Sequence, residues 1–336
     1  MPRERIIPIF VPHLGCPNDC VFCDQRRISG SPLPATGAAV TAALEKARAE
    51  GLAGAQLAFY GGSFTAIDPA GQEELLAAAQ PFREDGTIRA LRLSTRPDAI
   101  DGAALERLLR CGVETVELGA QSMDDRVLRA AGRGHTAADT ERAVRRLKEA
   151  GFRVVLQMMT GLPKSSRESD IETAEKLIAL KPDGVRIYPT VIVKNTPLER
   201  LWRAGLYAEH TVEAAVDVCA CILPKMEAAG IPVIRLGLNP TEELSRGGAV
   251  AGAYHPALGE LVRSEVLLRR ARELLQSARP GSAVTLGVAP ERVSAMTGQK
   301  RRNVERLKAE FSLADLKIRG LPQAGGEIIL VDGDAF

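Results

Sequence analysis

Through the first two thirds of the chain, short apolar runs alternate with longer stretches whose apolar residues recur at helical spacing. The runs Ile6–Pro12, Gln56–Tyr60, Leu91–Thr95, Val113–Leu118, Val154–Met159 and Val185–Tyr188 have strand length and are apolar over most of their positions. Such runs are expected of strands covered on both faces, as in parallel sheets. Helices are predicted from about Ala38 to Glu50, after Asp68-Pro69, and over Ala103–Cys111, Thr136–Ala150 and Glu168–Leu180. Asp68 supplies a cap and Pro69 the first helical position, while Gly151 ends the helix before it. This alternation implies parallel strands joined by right-handed crossovers. Six strands are too few for a closed eight-fold barrel, so the expected fold class is α/β, a partial six-unit parallel β/α barrel. The breaks Gly61-Gly62-Ser63-Phe64, Gly119-Ala120-Gln121-Ser122 and Thr160-Gly161-Leu162-Pro163 all follow strands. Ligand contacts in such sheets gather at the carboxyl ends of the strands.

Beyond Trp202 the pattern changes. A long helix, Thr211–Ala229, precedes the apolar run Ile231–Leu236 and the glycine-rich stretch Gly247–Ala253. A soft boundary near Asn239–Gly248 divides a 1–240 partial-barrel domain from a small 241–336 α+β appendage. The appendage reads as helix (Leu258–Leu275), strand (Ala283–Val288), helix (Gln299–Phe311) and strand (Glu327–Val331). A domain of that size has a marginal core of its own.

Composition narrows the function classes. With a net charge of +2 the chain has no global basic field, so any nucleic-acid contact must come from a local patch. Aromatic residues make up 4%, too few for a broad base-stacking platform. The start lacks an apolar signal core, and no run approaches the 18 or so residues of a membrane span. A cytoplasmic, reducing setting is therefore expected, where the six cysteines serve metal or catalytic roles before disulfides.

Three of those cysteines stand together in Cys16-Pro-Asn-Asp-Cys20-Val-Phe-Cys23. Three thiolates can hold three irons of a cubane cluster and leave the fourth open. Spacing alone also admits a zinc site completed by His13, three residues before Cys16. Cys111 reads as core, and Cys219 and Cys221, two apart on a helix, make a poor metal pair. The spacing of the leading three resembles the signature of the radical S-adenosylmethionine (SAM) superfamily. Further segments occur in order: Ser94-Thr-Arg-Pro-Asp98, Val116–Asp125, Arg133-Gly-His-Thr136, Met158-Met-Thr-Gly-Leu-Pro163, Val185–Thr190 and Thr196–Trp202. Together they resemble the radical SAM domain of the Elongator catalytic subunit, over roughly residues 5 to 265.

The resemblance implies that Cys16, Cys20 and Cys23 hold a 4Fe-4S cluster. Its open iron would chelate SAM, and one electron would cleave the sulfonium to a 5′-deoxyadenosyl radical. It implies modification of the wobble uridine of tRNA, and a flavodoxin- or ferredoxin-like electron donor. Gly61, Gly62 and Ser63 correspond to the segment that meets the methionine amino group. Glu117, Gln121 and Gln157 are candidates for the ribose hydroxyls, against the plainer reading that strand-end polar groups satisfy backbone. Arg96 is a candidate for the SAM carboxylate, or a partner of Asp98. Two features depart from the family: the gap between the first two cysteines is narrow, and the roughly 70 residues after the match are too few for the family's acetyltransferase domain. Acetyl transfer by this stretch alone is not expected. Alternative readings are a radical SAM enzyme acting on a small metabolite, as in the coproporphyrinogen-oxidase-like branch, and an RNA-binding module with a structural cluster or zinc. The clearest basic run is Lys300-Arg301-Arg302 with Lys308, to which Arg263, Arg269, Arg270 and Arg272 add; a solvated charged face and an RNA contact both fit it.

Overall fold

A computed structural model describes residues 5–11, 14–16, 20–24 and 35–331. Two compact units are present: the chain up to Ala215 with Lys225–Pro256, and Val216–Pro224 with the chain from Ala257 onward.

The first unit is a run of β/α repeats. Its strands and helices are β1 (Ile6–Phe10), α1 (Gly37–Ala49), β2 (Ala55–Tyr60), α2 (Pro69–Ala77), α3 (Gln80–Glu84), β3 (Ile88–Thr95), α4 (Gly102–Arg110) and β4 (Val113–Gln121). They continue as α5 (Asp125–Ala130), α6 (Ala137–Glu149), β5 (Arg153–Thr160), α7 (Arg167–Ala179), β6 (Gly184–Pro189), β7 (Val191–Val193) and α8 (Pro197–Arg203). Helix α9 (Val212–Ala228), β8 (Val233–Leu236) and β9 (Ala249–Gly252) complete it, the middle of α9 belonging to the second unit. Seven strands form one parallel sheet in the order β1-β2-β3-β4-β5-β6-β8, curled as a half-barrel with helices. The sheet thus extends one strand beyond the six that the alternation counts. Strand β8 has four residues, half-buried or exposed; it lies in the apolar run Ile231–Leu236, which follows the long helix, outside the regular alternation. Strands β7 and β9 pair separately and antiparallel.

Local chemistry sets the helix starts. Asp68 accepts the Gly71 N–H at the head of α2. Thr136 and Asp139 form a reciprocal capping box on α6. Thr211 caps α9 through Ala214 N–H. Each cap lies where the sequence marks a helix entry, so the crossovers have defined lengths and the strands keep their order.

The second unit contains α10 (Leu258–Leu275), β10 (Ala283–Val288), α11 (Val293–Thr297), α12 (Arg302–Glu310), β11 (Asp315–Gly320) and β12 (Ile329–Leu330). Its sheet order is β11-β10-β12, with β11 parallel and β12 antiparallel to β10. Leu268, Leu286, Val304, Leu307 and Leu316 lie in one buried core. The sequence reading lacks β11 and β12's shortness: Asp315–Gly320 alternates charged and apolar residues and hides a strand inside what resembles a loop.

Candidate active site

A cavity of about 470 Å³ opens at the carboxyl ends of the strands in the first unit. That volume lies in the range of small-molecule sites. Cys16, Cys20, Cys23, Gly61, Gly62, Arg96, Glu117, Gln121 and Gln157 all line it. Of the sequence candidates, Ser63 stands apart. It is fully buried, and its hydroxyl bonds Thr95 Oγ1 at 3.2 Å and accepts the Arg96 N–H at 3.2 Å. Ser63 thus ties the turn after β2 to the end of β3. His13 lies outside the described residues.

The cysteine segment is anchored by its own apolar residues. Phe22 and Cys20 are buried against Val127, Met159 and Leu198. Val21 N–H donates to Ala131 C=O at 3.1 Å, and Val21 C=O accepts Leu198 N–H at 2.8 Å. The Gly-Gly turn is fitted under the same segment. A Cβ on Gly62 would stand 2.4 Å from Val11 O and 2.6 Å from Leu14 O, and one on Gly15 would stand 2.2 Å from Ser63 O. Leu14 C=O accepts Ser63 N–H at 2.8 Å. Only glycine permits that backbone contact.

Charge around the thiols is positive. Arg133 Nη1 donates to Cys20 Sγ at 3.3 Å, and its Nη2 to Gly119 C=O at 2.8 Å. Arg96 holds Asp98 through two hydrogen bonds of 2.9 and 2.6 Å. Burial works against its charge, but Asp98 and the nearby Cys20 and Cys16 keep it firmly protonated. Burial raises and Arg96 lowers the Asp98 carboxyl, which ends below its ordinary range.

Deeper along the strands lies an ion network. Glu117 accepts from Arg186 at 2.6 and 3.1 Å, from Tyr60 Oη at 2.9 Å, and pairs with Arg92 at 2.7 Å. Arg92 also donates to Gln56 Oε1 at 3.0 Å. Burial, and then the Glu117 charge, push the Tyr60 hydroxyl up, so it stays protonated and donates. Gln121 is different. It sits at a bulge where β4 slips against β5, with φ of 64°. Its Oε1 accepts Gln157 Nε2 at a long 3.3 Å. Among the described residues its own amide N–H₂ has no partner. Beneath the bulge, His135 Nε2 meets Ala120 C=O at 3.1 Å; burial, then the Arg133 charge, push its pKa down to about 4.

Sequence reasoning passed over Arg133, Arg92, Arg186 and Tyr60. A findable signal existed for two of them: arginines at mid-strand in runs otherwise apolar must be paired.

In donor chemistry, three thiols and no free carboxylate, the set suits a cubane cluster with an open iron. Of the described cavity residues only these three carry thiols, and the wall's one carboxylate is held by two arginines. The family model of the radical SAM superfamily matches residues 10–177, and that of its C-terminal domain residues 182–267. The chain belongs to the radical SAM superfamily. A tRNA uridine(34) acetyltransferase of Methanocaldococcus jannaschii is 34% identical over 158 residues, 45% of this chain and 29% of that protein. Elongator complex protein 3 of Schizosaccharomyces pombe is 34% identical over 155 residues, 45% of this chain and 28% of that protein. The match therefore spans less than a third of these curated relatives. The solved structure of archaeal Methanocaldococcus infernus Elp3 lacking its N-terminus has a TM-score of 0.62 at 23% identity, covering 81% of this chain and 63% of that one. It has the same radical SAM fold. No described helix is long and apolar enough to cross a membrane.

Proposed function

We propose that this chain is a cytoplasmic radical SAM enzyme that acts on tRNA at a wobble uridine. The observation that carries the chemical part is the gathering of Cys16, Cys20, Cys23 and the Gly61-Gly62 turn on one cavity at the strands' carboxyl ends. In this reading the three thiolates hold a 4Fe-4S cluster, which when bound supplies the electron that opens the SAM sulfonium. Gly61 and Gly62 present bare backbone to the methionyl part. Gln121 and Gln157 offer amide groups to the ribose. Arg133 donates to the Cys20 sulfur and offsets thiolate charge, and Arg96, held by Asp98, would pair with the SAM carboxylate. Glu117 acts as a positioning residue that holds Arg186 in the wall. The apolar side chains of Phe22, Met159 and Val191 shield the cavity from water. The RNA part rests on the uridine(34) enzymes and Elongator proteins among its relatives.

The test is anaerobic reconstitution, followed by SAM and dithionite, with iron and sulfide counted on the same sample. Cluster-dependent 5′-deoxyadenosine, absent when Cys16, Cys20 and Cys23 are all alanine, is expected. Its yield should rise with tRNA and not with RNA lacking a wobble uridine. Zinc in place of iron and sulfide, or a loaded cluster that never cleaves SAM, overturns the reading.

A further inference from the structure

In the second unit, β10, α11, α12 and β11 form a β–α–α–β unit whose two strands are neighbours and parallel. The two helices are joined by four residues, Gly298-Gln299-Lys300-Arg301. We propose that this turn and the sheet edge beside it bind single-stranded RNA, the turn clamping the sugar–phosphate backbone. The proposal goes beyond the radical chemistry and does not rest on it.

The order of elements resembles that of K-homology modules, where a G-x-x-G turn between two helices grips about four nucleotides by their backbone. Here the fourth glycine is replaced, yet Arg301 adopts the left-handed conformation a glycine would take, φ 64°, and Lys300 before it has φ 50°. Two successive non-glycine residues in that region are unfavourable by roughly 1 kcal/mol or more each, and need surroundings that impose them. Those surroundings are present. Asn303 is buried, and its amide donates to Ser264 Oγ at 2.8 Å and to Ala295 C=O at 3.3 Å. Ser264 Oγ itself donates to Ala295 C=O at 2.7 Å. Gly298 has φ 74°, and a Cβ there would stand 2.9 Å from the Asn303 side chain. The turn is therefore set before any ligand arrives.

Charge selects a polyanion. Residues 290–320 hold eight Lys or Arg and four Asp or Glu, a surplus twice that of the full chain. Some cations in the unit have acidic partners: Arg269 pairs with Asp217 and Glu265, Arg272 with Glu310, and Lys308 and Lys317 with Asp315. Among the described residues, exposed Lys300, Arg301 and Arg302 have no acidic partner. A merely solvated face usually intersperses both signs; this one presents three unopposed cations on a rigid turn.

The edge strand supplies the other side. β11 borders the sheet, with Lys317 and Arg319 exposed and Ile318 half-buried between them. At its end, a Cβ on Gly320 would touch Pro290 and Val293 at 3.4 Å, so the start of α11 abuts the strand. Ile318 and Val293 pack against the unit's core and are only partly buried, so their uncovered edges are what apolar surface the bases would meet there. This mode of binding needs few aromatic side chains, in keeping with their scarcity in the chain.

The test is fluorescence anisotropy of the full, anaerobically handled chain with a labelled unstructured ten-nucleotide RNA, across a salt series. Lys300→Glu with Arg302→Glu should weaken binding at least tenfold. It should also flatten the log–log salt dependence by about 1.4 units, at roughly 0.7 for each of two lost phosphate contacts on a single strand. Lys46→Glu with Arg145→Glu, equal in charge but in the first unit, should change affinity less than twofold. Cluster content and RNA-independent 5′-deoxyadenosine formation should be the same in all three proteins, which separates failure of this site from failure of the radical chemistry. No binding by the unaltered chain, equal losses in both variants, or tighter binding of a duplex of the same sequence would each overturn the proposal.

Discussion

At the deeper end of the cavity Glu117 gives both carboxylate oxygens to Arg186, Arg92 and Tyr60, whereas at the cysteine end Gln121 and Gln157 share one hydrogen bond of 3.3 Å. All three residues follow the same sequence logic, a polar side chain near the end of a buried strand. The difference lies in what surrounds them. Glu117 is met by Arg92 from the adjacent strand β3 and by Arg186 from β6, two strands away, and is saturated; the glutamines meet each other and keep amide capacity for a ligand. A saturated group contributes to the scaffold, and an unsaturated one is a contact in waiting.

Four substitutions probe that contrast. Glu117→Ala leaves two buried arginines without their carboxylate and should destabilise by about 3–5 kcal/mol in urea unfolding. If stability is unchanged while SAM affinity collapses, the network is a binding site and the contrast fails. Gly62→Ala drives a methyl into Val11 and Leu14 carbonyl oxygens and should cost about 1–3 kcal/mol. Iron loading should fall with it, because the same backbone supports the cysteine segment.

Asp170 is a buried acid of a third kind. It accepts the Gly161 N–H at 2.8 Å, and burial pushes its pKa up to about 7, above the ordinary carboxylate value. Between pH 4 and 7 the folded chain keeps a proton that the unfolded chain has lost, so this group's contribution falls as pH rises through that window. Asp170→Asn keeps an oxygen for Gly161 and should gain on the unaltered protein by about 3 kcal/mol from pH 4 to pH 7, read as a difference in Tm. A constant difference across that range would show that Asp170 does not titrate there. The smallest effect on stability belongs to Gln157→Met, within about 0.5 kcal/mol, while SAM should bind roughly fivefold more weakly. Equal SAM affinity would put the glutamines with Glu117.

Much of this was legible from the chain. The six buried runs and their capped helices announce a parallel sheet, because apolar continuity and caps are local properties. The three cysteines and Gly61-Gly62 announce the site, because their spacing is itself the signal. The network was not legible in the same way: whether Glu117 meets Arg186, sixty-nine residues on, depends on the order of the strands and on which face of the sheet each side chain takes. Strand β11 was hidden because Lys317 and Arg319 interrupt its apolar residues at a sheet edge, where charge is tolerated. Arg301 looked like one more surface cation; its left-handed backbone is set by the buried Asn303 that follows it in the chain.

The interlock of Gly15 and Gly62 has a consequence in time. Cys16, Cys20 and Cys23 are close in sequence, but the shape of their segment is fixed by backbone that arrives fifty residues later, once Ile6 pairs with Gln56 and Phe10 with Tyr60. Parallel pairing at that separation waits on the whole intervening crossover. The thiols of a nascent chain are thus made early and organised late, and iron delivered before β1 and β2 have joined would meet three cysteines without a template.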